Sequence, residues 1–250
     1  MKPNWNDSFG LKKKKSLNNK KLLLFENHLN FHKFIFASEK ISKDKSIDQK
    51  VNRIMSKKQA KCYNLTMAVR KIITTNNKNL KIKSKPVNLK SGIDKKTQNV
   101  IKDLLDTVKA ASDPEGIGLS AIQINYPVRI FIAKIKDQFE VFINPVIKSF
   151  SKKRLSQVLP KKKLFFEGCL SVPKIYGFVD RPYQIVIEWQ TPEGKTKKAK
   201  FCHREAICLQ HEFDHLDGIL FVQRVLEQDG KLFQLKKQDD KEEFEEIELY

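Results

Sequence analysis

Gln210-His211-Glu212-Phe213-Asp214-His215 is the stretch on which the reading of this chain turns. It sits inside residues 204–216, where Ile207, Leu209, Phe213 and Leu216 supply an apolar flank and Asp217-Gly218 supplies a stop. That pattern predicts a buried helix. On a helix, positions four apart share a face one turn from each other, so His211 and His215 converge on one point. Two convergent imidazoles are a metal-binding pair. A divalent cation held there lowers the pKa of a bound water toward about 7. Glu212, one residue along, can take that proton and later give it to a leaving amine. The competing reading is a polar helix with two surface histidines. The apolar flank argues against it, because two histidines and a glutamate buried without a partner would be costly.

A catalytic metal needs a third protein ligand and an open position. Glu167-Gly168-Cys169-Leu170-Ser171 is the best source. Cys169 follows a glycine, which lets the backbone approach closely, and a thiol beside a divalent metal loses its proton. The plain alternative for Cys169 is a small buried hydrophobe. Cys202, His203 and Cys208 form a rival cluster that reads as structural, with Cys208 suited to lining a pocket. Cys62 has no visible partner. Four scattered cysteines in 250 residues do not make a disulfide scaffold, so a reducing compartment is expected.

Working outward, Val100, Ile101, Leu104, Leu105 and Val108 follow helical spacing over about 94–111, with Asp94 as cap and Asp113-Pro114-Glu115-Gly116 as the closing turn. Residues 69–74, 119–124, 128–135, 140–143, 183–189, 196–201 and 219–225 read as strands. The expected fold is therefore α+β: antiparallel or mixed sheets packed around the central helix that carries His-Glu-x-x-His. No internal repeat is visible.

The formal net charge of +20 invites a nucleic-acid reading, but its distribution weakens it. Residues 1–66 hold 16 Lys and Arg against 5 Asp and Glu, a net of +11. The last 25 residues hold 4 Lys against 9 acids, a net of −5. A basic extension on an ordinary domain fits better than a basic binding face, and no sequence-specific nucleic-acid binding is expected. No stretch approaches the ~18 apolar residues of a membrane span.

Three blocks stand in order along the chain: Gly116-Ile117-Gly118-Leu119-Ser120-Ala121-Ile122-Gln123, Glu167-Gly168-Cys169-Leu170-Ser171 and Gln210-His211-Glu212-Phe213-Asp214-His215. Together they resemble the peptide deformylase family, whose members carry Gly-x-Gly-Leu-x-Ala-x-Gln, Glu-Gly-Cys-Leu-Ser and Gln-His-Glu-x-Asp-His in this order. The resemblance runs from about Met67 to Val225. It implies an enzyme that removes the formyl group from the N-terminal formyl-methionine of nascent polypeptides, with metal-bound water attacking the formyl carbon. Cys169, His211 and His215 would hold one divalent metal ion, Fe(II) first, with zinc, nickel or cobalt able to occupy the site. Glu212 would be the general base and acid. The Leu170 backbone N–H and the Gln123 amide would meet the oxyanion. Gly116, Ile117, Gly118, Phe165, Ile207 and Cys208 would bind substrate, the two glycines letting the peptide pass as an added strand. Glu167 and Arg181 would make supporting polar contacts. Three departures stand out: Ser120 where Ala is common, Thr75-Asn76-Asn77-Lys78 before the first helix, and Tyr176 where some members have Arg.

The organisation that follows is a Lys/Asn-rich extension or leader over 1–66, a catalytic domain over 67–225 and an acidic tail over 226–250. The protein is expected to be a cytoplasmic monomer that meets formyl-methionyl peptides in the ribosome's vicinity. Mitochondrion or plastid is the alternative if 1–66 is a targeting leader, against which it has only one Arg and five acids. The rival activity is a zinc metalloprotease using the same His-Glu-x-x-His.

Overall fold

The structure, a computed structural model, describes residues 69–160, 164, 166–238 and 241–248. The chain divides into units Met1–Thr66 and Met67–Tyr250, and only the second is described. The expectations placed on residues 1–66 and on Phe165 lie outside the described residues.

Helix α1, Lys95–Ala110, starts where the Asp94 side chain accepts the Thr97 N–H at 2.7 Å. Its stripe of Val100, Leu104 and Val108 is buried. Strand β1, Gly118–Ser120, leads through a 3-10 turn, Ala121–Ile124, to β2, Ile130–Ile135, and β3, Gln138–Phe150. A single helical turn α2, Leu155–Val158, precedes β4, Glu167–Cys169, and β5, Val172–Gly177. Next come β6, Gln184–Gln190, β7, Thr196–Cys202, and helix α3, His203–Leu216. A short helix α4, Phe221–Glu227, then leads to β8, Leu232–Gln238, and β9, Lys241–Glu246.

The strands form two antiparallel sheets, in the orders β1-β2-β3-β6-β7 and β4-β5-β8-β9. Alternation along β2 explains how the first sheet packs on both faces. Ile130 and Ile132 meet α1, while Phe131 and Ala133 join Phe142, Ile187 and Trp189 under α3. The second sheet packs Cys169, Val172 and Leu232 against Phe221 and Val225 of α4. Helix α3 thus lies in the interior of an α+β domain. β1 and β4, the strands at the ends of their sheets, are also the ones that carry two of the three sequence blocks.

Three readings need correction. Residues 219–225 do not form a strand; they run into α4, where Phe221 and Val225, four apart, share the buried face, and the Gln223 side chain accepts the Leu220 N–H at 2.9 Å. A short apolar run of this kind fits either period. The strand read over 119–124 stops at Ser120, because Gln123 folds back and its Oε1 accepts the Ser120 N–H at 2.8 Å. The 69–74 stretch forms no strand. It is extended and stitched down instead, with the Ile73 N–H donating to the Gln123 carbonyl at 2.8 Å and the Thr75 N–H to the Ser171 carbonyl at 3.1 Å. The acidic stretch 226–250 contains β8 and β9, which pair with each other, and β8 pairs with β5.

Candidate active site

Helix α3 places His211 and His215 on one face with their ring centroids 5.0 Å apart. Strand β4 ends at Cys169, whose Sγ lies 3.3 Å from His215 Nε2. The three candidate ligand atoms of Cys169, His211 and His215 all lie within 4.8 Å of one another. Ligand atoms around a tetrahedral metal with Zn–S and Zn–N bonds stand about 3.5 Å apart, so the spacing suits a single cation. Among the described residues this is the only such cluster.

The surroundings orient these groups. The His211 Nδ1–H donates to Glu167 Oε2 at 2.9 Å, which turns the other ring nitrogen toward the cluster. Glu167 is held in turn by Arg181, which donates from Nε at 2.6 Å and from Nη2 at 2.9 Å. The same guanidinium reaches Asp214 at 2.8 Å, and Asp214 accepts from Arg224 at 2.8 Å. Burial alone would push the Glu167 carboxyl up; the Arg181 charge and the hydrogen bonds from His211 and Arg181 overcome this and hold it at about 2. The two rings separate for the same kind of reason. Burial lowers both, but the Cys169 sulfur and Glu167 carboxylate beside His211 raise it well above the usual range. His215 falls well below it, lowered by burial and by the His211 and Arg181 charges. His215 Nδ1 is buried with no hydrogen-bond partner among the described residues.

Glu212, next to His211 on α3, is buried. Ser120 Oγ stands 2.7 Å from its Oε2 and 2.9 Å from its backbone oxygen. Burial pushes the carboxyl up to about 7, against the pull of the His211 charge and the Ser120 hydrogen bond. A carboxyl poised there can hold or release a proton near neutral pH. The Gln123 side chain is fixed at both ends: Oε1 accepts from Ser120 N, while Nε2 donates to Ser171 Oγ at 3.1 Å and faces Cys169 Sγ at 3.6 Å. Leu170 follows Cys169 directly and is half-buried against the α1 side of the core.

The residues expected to bind substrate divide into two groups. Gly116, Ile117 and Gly118 lie together, with Ile117 51% exposed at the surface. Cys208 joins them, its Sγ 3.8 Å from the Ile117 carbonyl. Ile207 faces elsewhere, into a crevice too tight for a water molecule, lined with Leu155, Leu159, Leu164, Glu167, Phe178 and Val179. The glycines have internal reasons to be glycine. A Cβ at Gly118 would stand 2.5 Å from Glu212 Oε1, and one at Gly116 2.8 Å from Val108. Sequence reasoning missed the Ser120 hydroxyl, Ser171 as acceptor for Gln123, and Asp214 as the link from Arg181 to Arg224. Asp214 offered one signal: a charged residue on a helix otherwise read as buried needs a cationic partner.

A family model described as "Polypeptide deformylase" matches residues 69–231. This chain belongs to the polypeptide deformylase family. A peptide deformylase of Pelagibacter ubique (strain HTCC1062) is 38% identical over 161 residues, covering 62% of this chain and 86% of the relative. One from Hyphomonas neptunium is 34% identical over 173 residues, covering 68% and 94%. Among solved structures, the Met-Ala-Ser-bound class I type b peptide deformylase from Acinetobacter baumannii matches with a TM-score of 0.56 and 27% identity, covering 64% of this chain and 99% of that one. The actinonin-bound form of that enzyme matches with a TM-score of 0.55 and 29% identity, covering 63% of this chain and 98% of that one. Polypeptide deformylases are metal-dependent, and the Cys169–His211–His215 cluster is the candidate metal site of this member.

Proposed function

We propose that this chain removes the formyl group from the N-terminal formyl-methionine of nascent polypeptides, releasing formate and a free amino terminus. The observation that carries the reading is the meeting of one thiol and two imidazoles beside a buried carboxyl, in a chain of this family.

The donor set fits a late divalent cation. One soft sulfur with two imidazole nitrogens suits Fe(II) as well as zinc, nickel or cobalt, and His211 has its second nitrogen anchored as metal-ligating histidines usually do. Cys169, His211 and His215 would hold that ion, which when bound supplies Lewis acidity and makes hydroxide available near neutral pH. Glu212 accepts the proton of the attacking water and returns it to the departing amine. Gln123 Nε2 and the Leu170 N–H receive the charge that develops on the formyl oxygen, and one donor of this kind is worth about 3–4 kcal/mol. β1 and β4 each end a sheet, so an extended peptide can add to either edge with its backbone. Ile117, Gly118 and Cys208 border that path on the β1 side; Gly116, Ile207 and Phe165 complete the proposed substrate contacts.

The catalytic domain begins near residue 67 and, with β8 and β9 paired into its second sheet, extends beyond residue 225. A cytoplasmic monomer acting on chains as they leave the ribosome is the setting we infer. No helix among the described residues is long and apolar enough to cross a membrane. Metalloproteolysis is not favoured, since the relatives are peptide deformylases.

The test pairs metal analysis of anaerobically purified protein with formate release. Turnover of formyl-Met-Ala-Ser without cleavage of an unformylated peptide is expected. Cleavage of internal bonds with no formate would overturn the reading.

A further inference from the structure

Ser120 is buried on the end strand β1 and belongs to neither the metal cluster nor the oxyanion donors. Two of its polar atoms nevertheless touch both working side chains. The backbone N–H donates to Gln123 Oε1, which leaves Nε2 as the end of that amide facing Cys169 and Ser171. Any residue at position 120 other than proline can provide that contact. The hydroxyl is different, because only a hydroxyl-bearing side chain can reach Glu212 as Ser120 Oγ does, 2.7 Å from Oε2 and 2.9 Å from the backbone oxygen.

We propose that Ser120 is a positioning residue for Glu212, its hydroxyl holding the carboxyl in one orientation. A serine hydroxyl has one proton to donate and lone pairs to accept with, and here it lies within hydrogen-bond reach of both Oε2 and the Glu212 carbonyl oxygen. The other oxygen, Oε1, lies directly under Gly118, where a Cβ would meet it at 2.5 Å. Serine on one side and the bare glycine on the other therefore leave the carboxyl a single slot. Reaction between positioned groups depends steeply on such placement.

The inference rests on the deformylase reading, and the experiment separates the two. Metal-loaded wild type, Ser120→Ala and Ser120→Thr are compared for formate release from formyl-Met-Ala-Ser, bound metal and thermal midpoint. Alanine removes one atom and is common at this position in the family, so folding is not at stake. Ser120→Ala is expected to lower kcat about three- to tenfold, the worth of one ordinary intramolecular hydrogen bond, with KM and metal content unchanged. Ser120→Thr, where it folds, keeps the hydroxyl and restores turnover. Wild-type kcat in Ser120→Ala overturns the proposal, as does a loss explained by metal content or KM alone. A wild type that releases no formate overturns the deformylase reading instead.

Discussion

Two neighbours on helix α3, His211 and Glu212, are held differently. His211 is steadied by a buried ionic chain in which Glu167, Arg181, Asp214 and Arg224 follow one another at hydrogen-bond distance. Glu212 and Gln123 are steadied by neutral groups: two serine hydroxyls, one backbone N–H and a glycine without a side chain. The ligand side is thus fixed by charges that cannot change without great cost. The proton-handling side is fixed by groups that carry no charge of their own. A group that must gain and lose a proton each turnover is better served by partners able both to donate and to accept.

The strongest test of that contrast is Glu212→Gln. It should keep its metal and lose turnover by about 10²–10⁴-fold, the usual weight of a general acid–base group, measured as formate release alongside metal content. Cys169→Ala should fail on the other side, losing metal or binding it weakly by equilibrium dialysis while remaining folded by circular dichroism. Arg181→Ala should cost about 3–5 kcal/mol of stability, because it leaves Glu167 and Asp214 buried without their cation; urea unfolding gives the number. The ionic side should also be the acid-sensitive one. Glu167 sits at about 2 in the fold against 4.5 ordinarily, so its contribution is complete above pH 4.5 and is lost as pH falls toward 2. The urea midpoint of the wild type should drop across that window, and that of Glu167→Gln should drop less. The smallest effect is expected from deleting residues 1–66, which should leave metal content, turnover and thermal midpoint close to those of the full chain; collapse of the domain would move its boundary.

What the sequence made legible follows the same division. The histidine pair, Glu212 and the Glu167–Cys169 block were readable because helical period and short fixed spacings carry them. Helix α1 was readable from its cap and stripe, β2 and β6 as strand-like runs, and β7 as the return from the Thr191-Pro192-Glu193-Gly194 turn. The Ser120 contact was not, because residues 120 and 212 meet only through the packing of β1 on α3. Residues 219–225 misled because seven mostly apolar residues satisfy both periods; Phe221 and Val225, four apart, chose the helix. The hairpin of β8 and β9 was hidden by its charge. Alternate residues there, such as Phe233 against the Phe166 ring at 4.9 Å, carry the packing while glutamates and lysines fill the other positions.

The stitches from Ile73 to Gln123 and from Thr75 to Ser171 set a limit on how far the front of the domain can be trimmed. Gln123 and Ser171 are the two ends of one side-chain hydrogen bond beside the thiol, and they come from different sheets' neighbourhoods. One short run of backbone therefore pins both. A shortened protein that begins before residue 70 keeps that clasp, whereas one that begins at residue 77 should fold with a looser amide and a slower reaction, although no ligand of the metal has been touched.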